Sequence, residues 1–219
     1  MPVFAYLQAA GFVGFAGVAL FASAGTPAIL SFWVYLAILA AVMAAAFLWL
    51  DPGLLQERML PGGKRPPLAL RLFTLVMALH WVVAGLDLCR FHWSDTVPPW
   101  LQAVGLIGVA AGYALCFWAM AVNRFFSSVV RIQSDRGQHV VTRGPYAFIR
   151  HPGYVAGIVI LLSSGIALGS WLSAAALVIL SLPFLLYRAI TEDRILMAEL
   201  PGYRDYARRV RWRLLPGVW

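Results

Sequence analysis

Residues Tyr154–Tyr187 read Y-V-A-G-I-V-I-L-L-S-S-G-I-A-L-G-S-W-L-S-A-A-A-L-V-I-L-S-L-P-F-L-L-Y, an apolar run without a charged side chain. As one helix rising 1.5 Å per residue it would be about 50 Å long. A bilayer core is only ~30 Å thick. Ser163, Ser164, Gly165, Gly169 and Ser170 lie near its middle, where small and polar residues loosen a helix. The run therefore predicts two helices folded back as a hairpin, with the turn near Gly169.

Outside this hairpin, apolar runs long enough to span occur at about Phe4–Ala24, Ala28–Leu50, Leu68–Leu88 and Trp100–Val122. With 219 residues, 62% hydrophobic and 12% charged, the chain is too apolar for a water-soluble domain of its size. The fold class is all-α: a polytopic membrane helix bundle of about six spans, the last two a hairpin. Residues 1–122 form the N-terminal helices and residues 123–219 a C-terminal core. Six crossings put both ends on one side. Lys and Arg collect on cytoplasmic loops, and 16 of the 17 fall on that side, leaving only Arg90 on the other. The net charge of +8 is thus explained by a face resting on anionic lipid, with no nucleic-acid partner. The location is an integral, multi-pass one, of the bacterial inner-membrane kind. Ala22-Ser23-Ala24 resembles a signal-peptidase site, but no basic segment precedes Phe4, and the first run is read as a retained helix.

Gly11, Gly14 and Gly17, and the pair Gly108 and Gly112, set small residues at helical spacing, which suits close helix packing in lipid. Oligomeric state does not follow from them. Cys89 and Cys116 make no C-x-x-C, and His80, His92, His139 and His151 lack ligand spacing, so no metal is expected. His80 is read as a span-embedded histidine bonded to a neighbouring helix. Asp51–Pro67 is read as a tight connection anchoring topology. Trp93 and Trp100 suit an aromatic belt.

From Asn123 to Pro152 the chain is too long for a simple turn. Ser127–Ile132 and Val140-Val141 flank Ser134–Gly137 and suggest an extended or hairpin-like segment on the membrane face. Tyr146, Phe148, Arg150, His151 and Tyr154 then gather at the mouth of a helix that Pro152 opens. One reading is an interfacial belt of snorkelling side chains. The other is a site awaiting an anion, because cations beside a helix N-terminus oppose its dipole. Beyond the hairpin, Arg188 and Glu192 share a face at i, i+4. They are either a surface ion pair worth a few tenths of a kcal/mol or the far wall of a pocket facing His151 and Tyr154. In the tail, Arg208, Arg209, Arg211 and Arg213 alternate with Val210, Trp212 and Leu214, and are read as an interfacial anchor.

The residues V-V-T-R-G-P-Y-A-F-I-R-H-P-G-Y-V-A-G (140–157), T-E-D (191–193), P-G-Y-R-D-Y-A-R-R-V (201–210) and L-L-P-G-V-W (214–219) resemble, in order and spacing, the isoprenylcysteine carboxyl methyltransferase family and its bacterial phospholipid-methyltransferase-like relatives. The resemblance covers about Arg131 to Trp219. It implies a methyltransferase using S-adenosyl-L-methionine, held without a Rossmann sheet in a cytoplasmic cofactor pocket between residues 123–152 and the hairpin. Carried over, Gln138, His139, Val140 and Val141 would line the cofactor, with Tyr146, His151, Pro152, Gly153 and Tyr154 enclosing it and Arg131 touching it. Glu192 would bind its amino group, Arg188 would face the substrate, and Arg150 would join Arg188 and Glu192 as catalytic. Gln138 stands where the family usually has His, and Asp193 replaces a second Glu.

Methyl transfer is an in-line displacement that depends on positioning and water exclusion. Aromatic faces suit a sulfonium. A carboxylate or thiolate acceptor needs only an anion clamp such as Arg188, whereas an amine needs a base. The acceptor is expected to be lipidic or small and membrane-partitioning, entering sideways from the bilayer. Two other readings stay open: an NADPH-dependent reductase of the sterol type, and a non-enzymatic scaffold or transporter.

Overall fold

A computed structural model describes residues 3–61 and 67–219. Eight helices follow in order: α1 (Val3–Ala24), α2 (Leu30–Trp49), α3 (Pro52–Met59), α4 (Leu68–Leu86), α5 (Pro99–Val122), α6 (Pro152–Ala167), α7 (Trp171–Glu199) and α8 (Tyr203–Arg209). No strand occurs among the described residues. The helices Leu30–Trp49, Leu68–Phe91, Pro99–Val122 and Trp171–Glu199 are long and apolar enough to cross a membrane; Ala10–Ala24 and Pro152–Ala167 are shorter apolar helices. Six apolar helices thus stand at the positions expected. Without water, only internal backbone pairing is tolerable, and helices provide it. Val18, Leu30, Leu48, Trp49, Ile107 and Ile179 are exposed, which suits a lipid-facing surface and would be a liability in water. The protein is an integral membrane protein.

The core is built where α1, α2, α4 and α5 meet the end of α6, around Leu20, Phe32, Leu39, Trp81, Val109 and Leu168. A polar knot crosses it. Ser164 on α6 takes both the Tyr35 hydroxyl and His80 Nε2 at 2.8 Å, and Trp81 Nε1 donates to Tyr35 at 3.3 Å. His80 is therefore tied to a neighbouring helix, as the sequence predicts. Polar groups in an apolar interior are costly unless paired, so the knot holds α2, α4 and α6 in one register.

Close packing between α5 and α6 rests on Gly105, Gly108 and Gly112: a Cβ there would fall 2.6 Å from Ala167 N, 2.2 Å from Ser163 Oγ and 2.7 Å from Ile160 Cγ1. Gly11 and Gly14 meet nothing within 4 Å, so of the first glycine set only Gly17, 3.4 Å from Leu36, touches the bundle.

The α6–α7 hairpin turns at Gly169, φ +84°, a conformation that favours glycine. Ser170 caps α7 by accepting from Ser173 N at 3.0 Å and donates to Asp87. Asp87 also accepts from Ser94 N at 2.7 Å and from Ser94 Oγ. Asp87 opens the π turn Asp87–Phe91 that ends α4, so this end of the bundle is pinned by one buried carboxylate.

At the opposite end the connections are more elaborate. Asp51 caps α3, accepting from Leu54 N at 2.9 Å. Asp51–Pro67 is thus not merely a turn but carries a helix; Lys64 and Arg65 lie outside the described residues. Residues 123–151 run extended with two 3-10 turns, Ser134–Arg136 and Gly144–Ala147. No strand ladder forms in this segment, and Gln138 N folds back to donate to Gln133 O at 3.2 Å. Helix α7, 29 residues long and so about 43 Å, outruns the bilayer core and carries Arg188–Glu199 beyond it.

Candidate active site

A cavity of about 370 Å³ opens where α6 begins and α7 overhangs. The first turn of α6 starts at Pro152, a residue suited to that position. This places Tyr154 toward α7, where its hydroxyl donates to Glu192 Oε2 at 2.8 Å. Arg188 Nε donates to the same phenol oxygen at 3.4 Å, and Arg188 Nη2 donates to Ser128 O at 2.9 Å. His151 Nδ1 lies 4.0 Å from Glu192 Oε1. The four side chains that the sequence places on separate segments therefore converge at one spot. Arg188 and Glu192 meet through Tyr154 rather than as a direct ion pair.

Behind this wall lies an ion cluster centred on Asp193, which is 2% exposed. Its carboxylate accepts from Arg150 Nη1 at 2.9 Å, His151 Nε2 at 3.0 Å, Tyr203 at 3.0 Å and Arg213 Nε at 2.8 Å. Because a carboxylate only accepts, His151 carries its proton on Nε2 and turns Nδ1 toward Glu192. Sequence reasoning treats Asp193 only as a departure from a family pattern; the signal that could have singled it out is the abundance of basic partners in the tail. The tail itself needs correcting. Arg213 turns inward, and Arg150 N and His151 N donate to Trp212 O and Arg213 O at 2.9 and 3.0 Å. Only Arg208, Arg209 and Arg211 face outward as an anchor would.

The other predicted residues divide by what their polar atoms do. Gln138, His139, Val140, Val141, Tyr146 and Gly153 line the cavity, as do Arg131 and Arg150. Gln138 Oε1 accepts from Gln133 N at 2.6 Å, and His139 meets the Phe125 ring edge-on at 5.0 Å. Among the described residues the N–H groups of His139, Val140 and Val141 donate to no backbone carbonyl. Arg131 is already occupied: Nε and Nη2 reach the two Glu57 oxygens at 3.0 Å each, and Nη1 reaches Asp135 at 2.8 Å. Arg150 Nη2 goes to Arg211 O at 3.3 Å, leaving buried Nε without a partner among the described residues. Pro152 is buried at the helix start and does not border the cavity, and Phe148 stands exposed outside it.

Tyr146 accepts from Asn123 Nδ2 at 3.0 Å, and its carbonyl takes the Tyr206 hydroxyl at 2.7 Å. Burial pushes the Tyr146 phenol well above its ordinary value. Burial, followed by the negative charge of Asp193, does the same to Tyr203. Both phenols are therefore neutral across the working pH range, and Tyr203 donates to Asp193.

From this polar chamber an apolar arm runs between α4, α5, α6 and α7, lined by Phe73, Met77, Tyr113, Ile160, Phe184 and Leu185. Phe73 and Phe184 pack against each other in its lining, ring centroids 5.3 Å apart.

Fold and site together define a membrane helix bundle with a pocket that is charged at one end and apolar at the other. Residues 103–198 match the model of the isoprenylcysteine carboxyl methyltransferase (ICMT) family. The match begins inside α5, earlier than the sequence motifs suggest, and ends before the tail. Two relatives are the cobalt-zinc-cadmium resistance protein CzcN of Cupriavidus metallidurans, 32% identical over 137 residues and 61% of this chain, and the nickel-cobalt-cadmium resistance protein NccN of Alcaligenes xylosoxydans xylosoxydans, 34% identical over 125 residues and 54% of this chain. The aligned parts span 58% and 52% of those relatives' lengths. A solved structure of the eukaryotic intramembrane Ras methyltransferase ICMT shares the fold, with TM-score 0.65 and 21% identity, covering 98% of this chain and 77% of that one.

Proposed function

We propose that the protein is a membrane-embedded methyltransferase that moves the methyl group of S-adenosyl-L-methionine to a membrane-partitioning acceptor. The observation that carries this reading is the convergence of Glu192, Arg188, Tyr154 and His151 where a polar chamber meets an apolar arm. The residues present fit the cofactor. Glu192 offers a carboxylate to an ammonium, Tyr146 and Tyr154 offer aromatic faces to a sulfonium, and the N–H groups of residues 139–141 are without backbone acceptors. Gln138 and His139 would line the adenosyl part. Bound there, the cofactor supplies an electrophilic methyl group.

The chain's own residues do the rest. Tyr154 donates to Glu192 and fixes the carboxylate that would hold the ammonium. Asp193, with Arg150 and Arg213, holds the His151 ring against Tyr154; the two rings meet edge-on at 5.8 Å. Arg188 keeps one terminal nitrogen free of the bonds described above, so it can clamp an anionic nucleophile. An anion needs no base, and Glu192 is committed to orienting the cofactor, so a carboxylate or thiolate acceptor is better served than an amine. The arm excludes water, which otherwise competes for an activated methyl.

The two relatives are named for metal resistance, yet no group of three His, Cys, Asp or Glu side chains gathers among the described residues. Thermal unfolding of purified protein with S-adenosylhomocysteine or NADPH tests the reading. S-adenosylhomocysteine should stabilise the wild type, and Glu192→Ala should weaken its binding about tenfold, the scale of a charge-assisted hydrogen bond. Stabilisation by NADPH alone would favour a reductase.

A further inference from the structure

Two cations facing the cavity have no carboxylate within 4.0 Å among the described residues: Arg188 and Arg58. Arg58 sits on α3, in the part of the chain outside the family match, and no motif points to it. Its position is nonetheless built. Ser128 Oγ donates to Arg58 O at 3.0 Å, while Ser128 O accepts from Arg188 Nη2 at 2.9 Å. One residue thus tethers both arginines to the same wall. The Arg58 guanidinium lies over the Phe126 ring, 5.0 Å from its centroid. Phe126 in turn presses on Gly153, where a Cβ would come within 2.4 Å of the ring. The absence of a side chain in the first turn of α6 is what lets Phe126 lie there and carry Arg58.

We propose that Arg58 is a specificity-determining residue that, with Arg188, holds the anionic head of the acceptor at the mouth of the apolar arm. This rests on the methyltransferase reading. Arg188 stacks over Phe184 at 5.7 Å, a residue of the arm. Glu57, beside Arg58, accepts from Arg131 and Ser127. A cavity wall with two guanidiniums that have no carboxylate within 4.0 Å among the described residues attracts an anionic amphiphile more than an amine. The cofactor's own carboxylate is the competing occupant, and S-adenosylhomocysteine binding by the Arg58→Gln variant separates the two.

The test uses the full chain in phosphatidylcholine nanodiscs, measuring binding of radiolabelled dodecanoate, dodecylamine and dodecanol with and without saturating S-adenosylhomocysteine. Arg58→Gln should weaken dodecanoate about tenfold, as loss of one charge-assisted contact does. Dodecanol and S-adenosylhomocysteine should bind as before, dodecylamine should bind no more weakly than to the wild type, and Arg58→Lys should recover part of the loss. In the wild type, dodecanoate but not dodecanol should slow phenylglyoxal modification of Arg58, read by mass spectrometry, a measurement that does not depend on a variant folding. Unchanged dodecanoate affinity in Arg58→Gln, loss of S-adenosylhomocysteine instead, or no protection of Arg58 would each overturn the proposal. If S-adenosylhomocysteine fails to bind the wild type while dodecanoate still requires Arg58, the methyltransferase reading falls and the anion site stands.

Discussion

Four side chains from three stretches of sequence donate to Asp193, and its removal is the most consequential single change in the charged half of the molecule. Asp193→Ala would leave Arg150, Arg213 and the His151 donor facing an empty acceptor. Breaking a buried ion pair from one side costs about 3–5 kcal/mol, so the variant should unfold at markedly lower SDS fraction than the wild type. Asp193→Asn, which keeps an acceptor oxygen, should lose less. Tyr203 makes a separate, pH-dependent prediction. Burial and the Asp193 charge hold its proton in the folded state, while the unfolded phenol ionises near pH ~10. A folded-state value above the unfolded one gives stability that is complete below pH ~10 and is lost as pH rises further, at about 1.4 kcal/mol per pH unit for one group. Stability measured from pH 9 to 11, round values spanning that ~10 midpoint, should therefore fall less steeply in Tyr203→Phe.

At the level of elements, the α6–α7 hairpin depends on Gly165, where a Cβ would stand 2.2 Å from Ala174 N. Backbone cannot yield as a side-chain tip does, so Gly165→Ala should part the helices and cost about 1–3 kcal/mol or more. S-adenosylhomocysteine binding should weaken with it, because Tyr154 and Glu192 sit on opposite arms of the hairpin. That hairpin was legible in the sequence: its length exceeded a bilayer, and Gly169 marked the turn. So was the meeting of Arg188 and Glu192 with His151 and Tyr154, since a hairpin must return its far end to its start. The contribution of α3 was not legible. Glu57 and Arg58 acquire meaning only from Arg131, Ser127, Ser128 and Phe126, about 70 residues away, and nothing in the spacing of a short proline- and glycine-bearing loop foretells a clamp onto another segment. Asp193 escaped for the same reason: burial of a carboxylate is decided by distant cations, here Arg150 and Arg213, and not by its neighbours in the chain.

Across the whole molecule the charges are divided between two ends. Asp87, Ser94 and Ser170 knot one end, where Trp171 N donates to Ser94 O at 3.3 Å, and Arg58, Arg131, Arg150, Arg188 and Arg213 surround the other. The distribution of basic residues predicts that the second end faces the cytoplasm. Single cysteines placed in a cysteine-free background should show this: Asp95→Cys should react with an impermeant maleimide in intact cells, and Arg143→Cys only after lysis. The reverse pattern would put the pocket on the wrong side for a cytosolic cofactor. Arg213 closes the Asp193 cluster from 20 residues beyond Asp193, while the cluster's other donors Arg150 and His151 are made far earlier. A ribosome-bound chain that has already threaded its helices into lipid therefore still lacks a finished pocket, and cofactor affinity should switch on only once synthesis has passed that arginine.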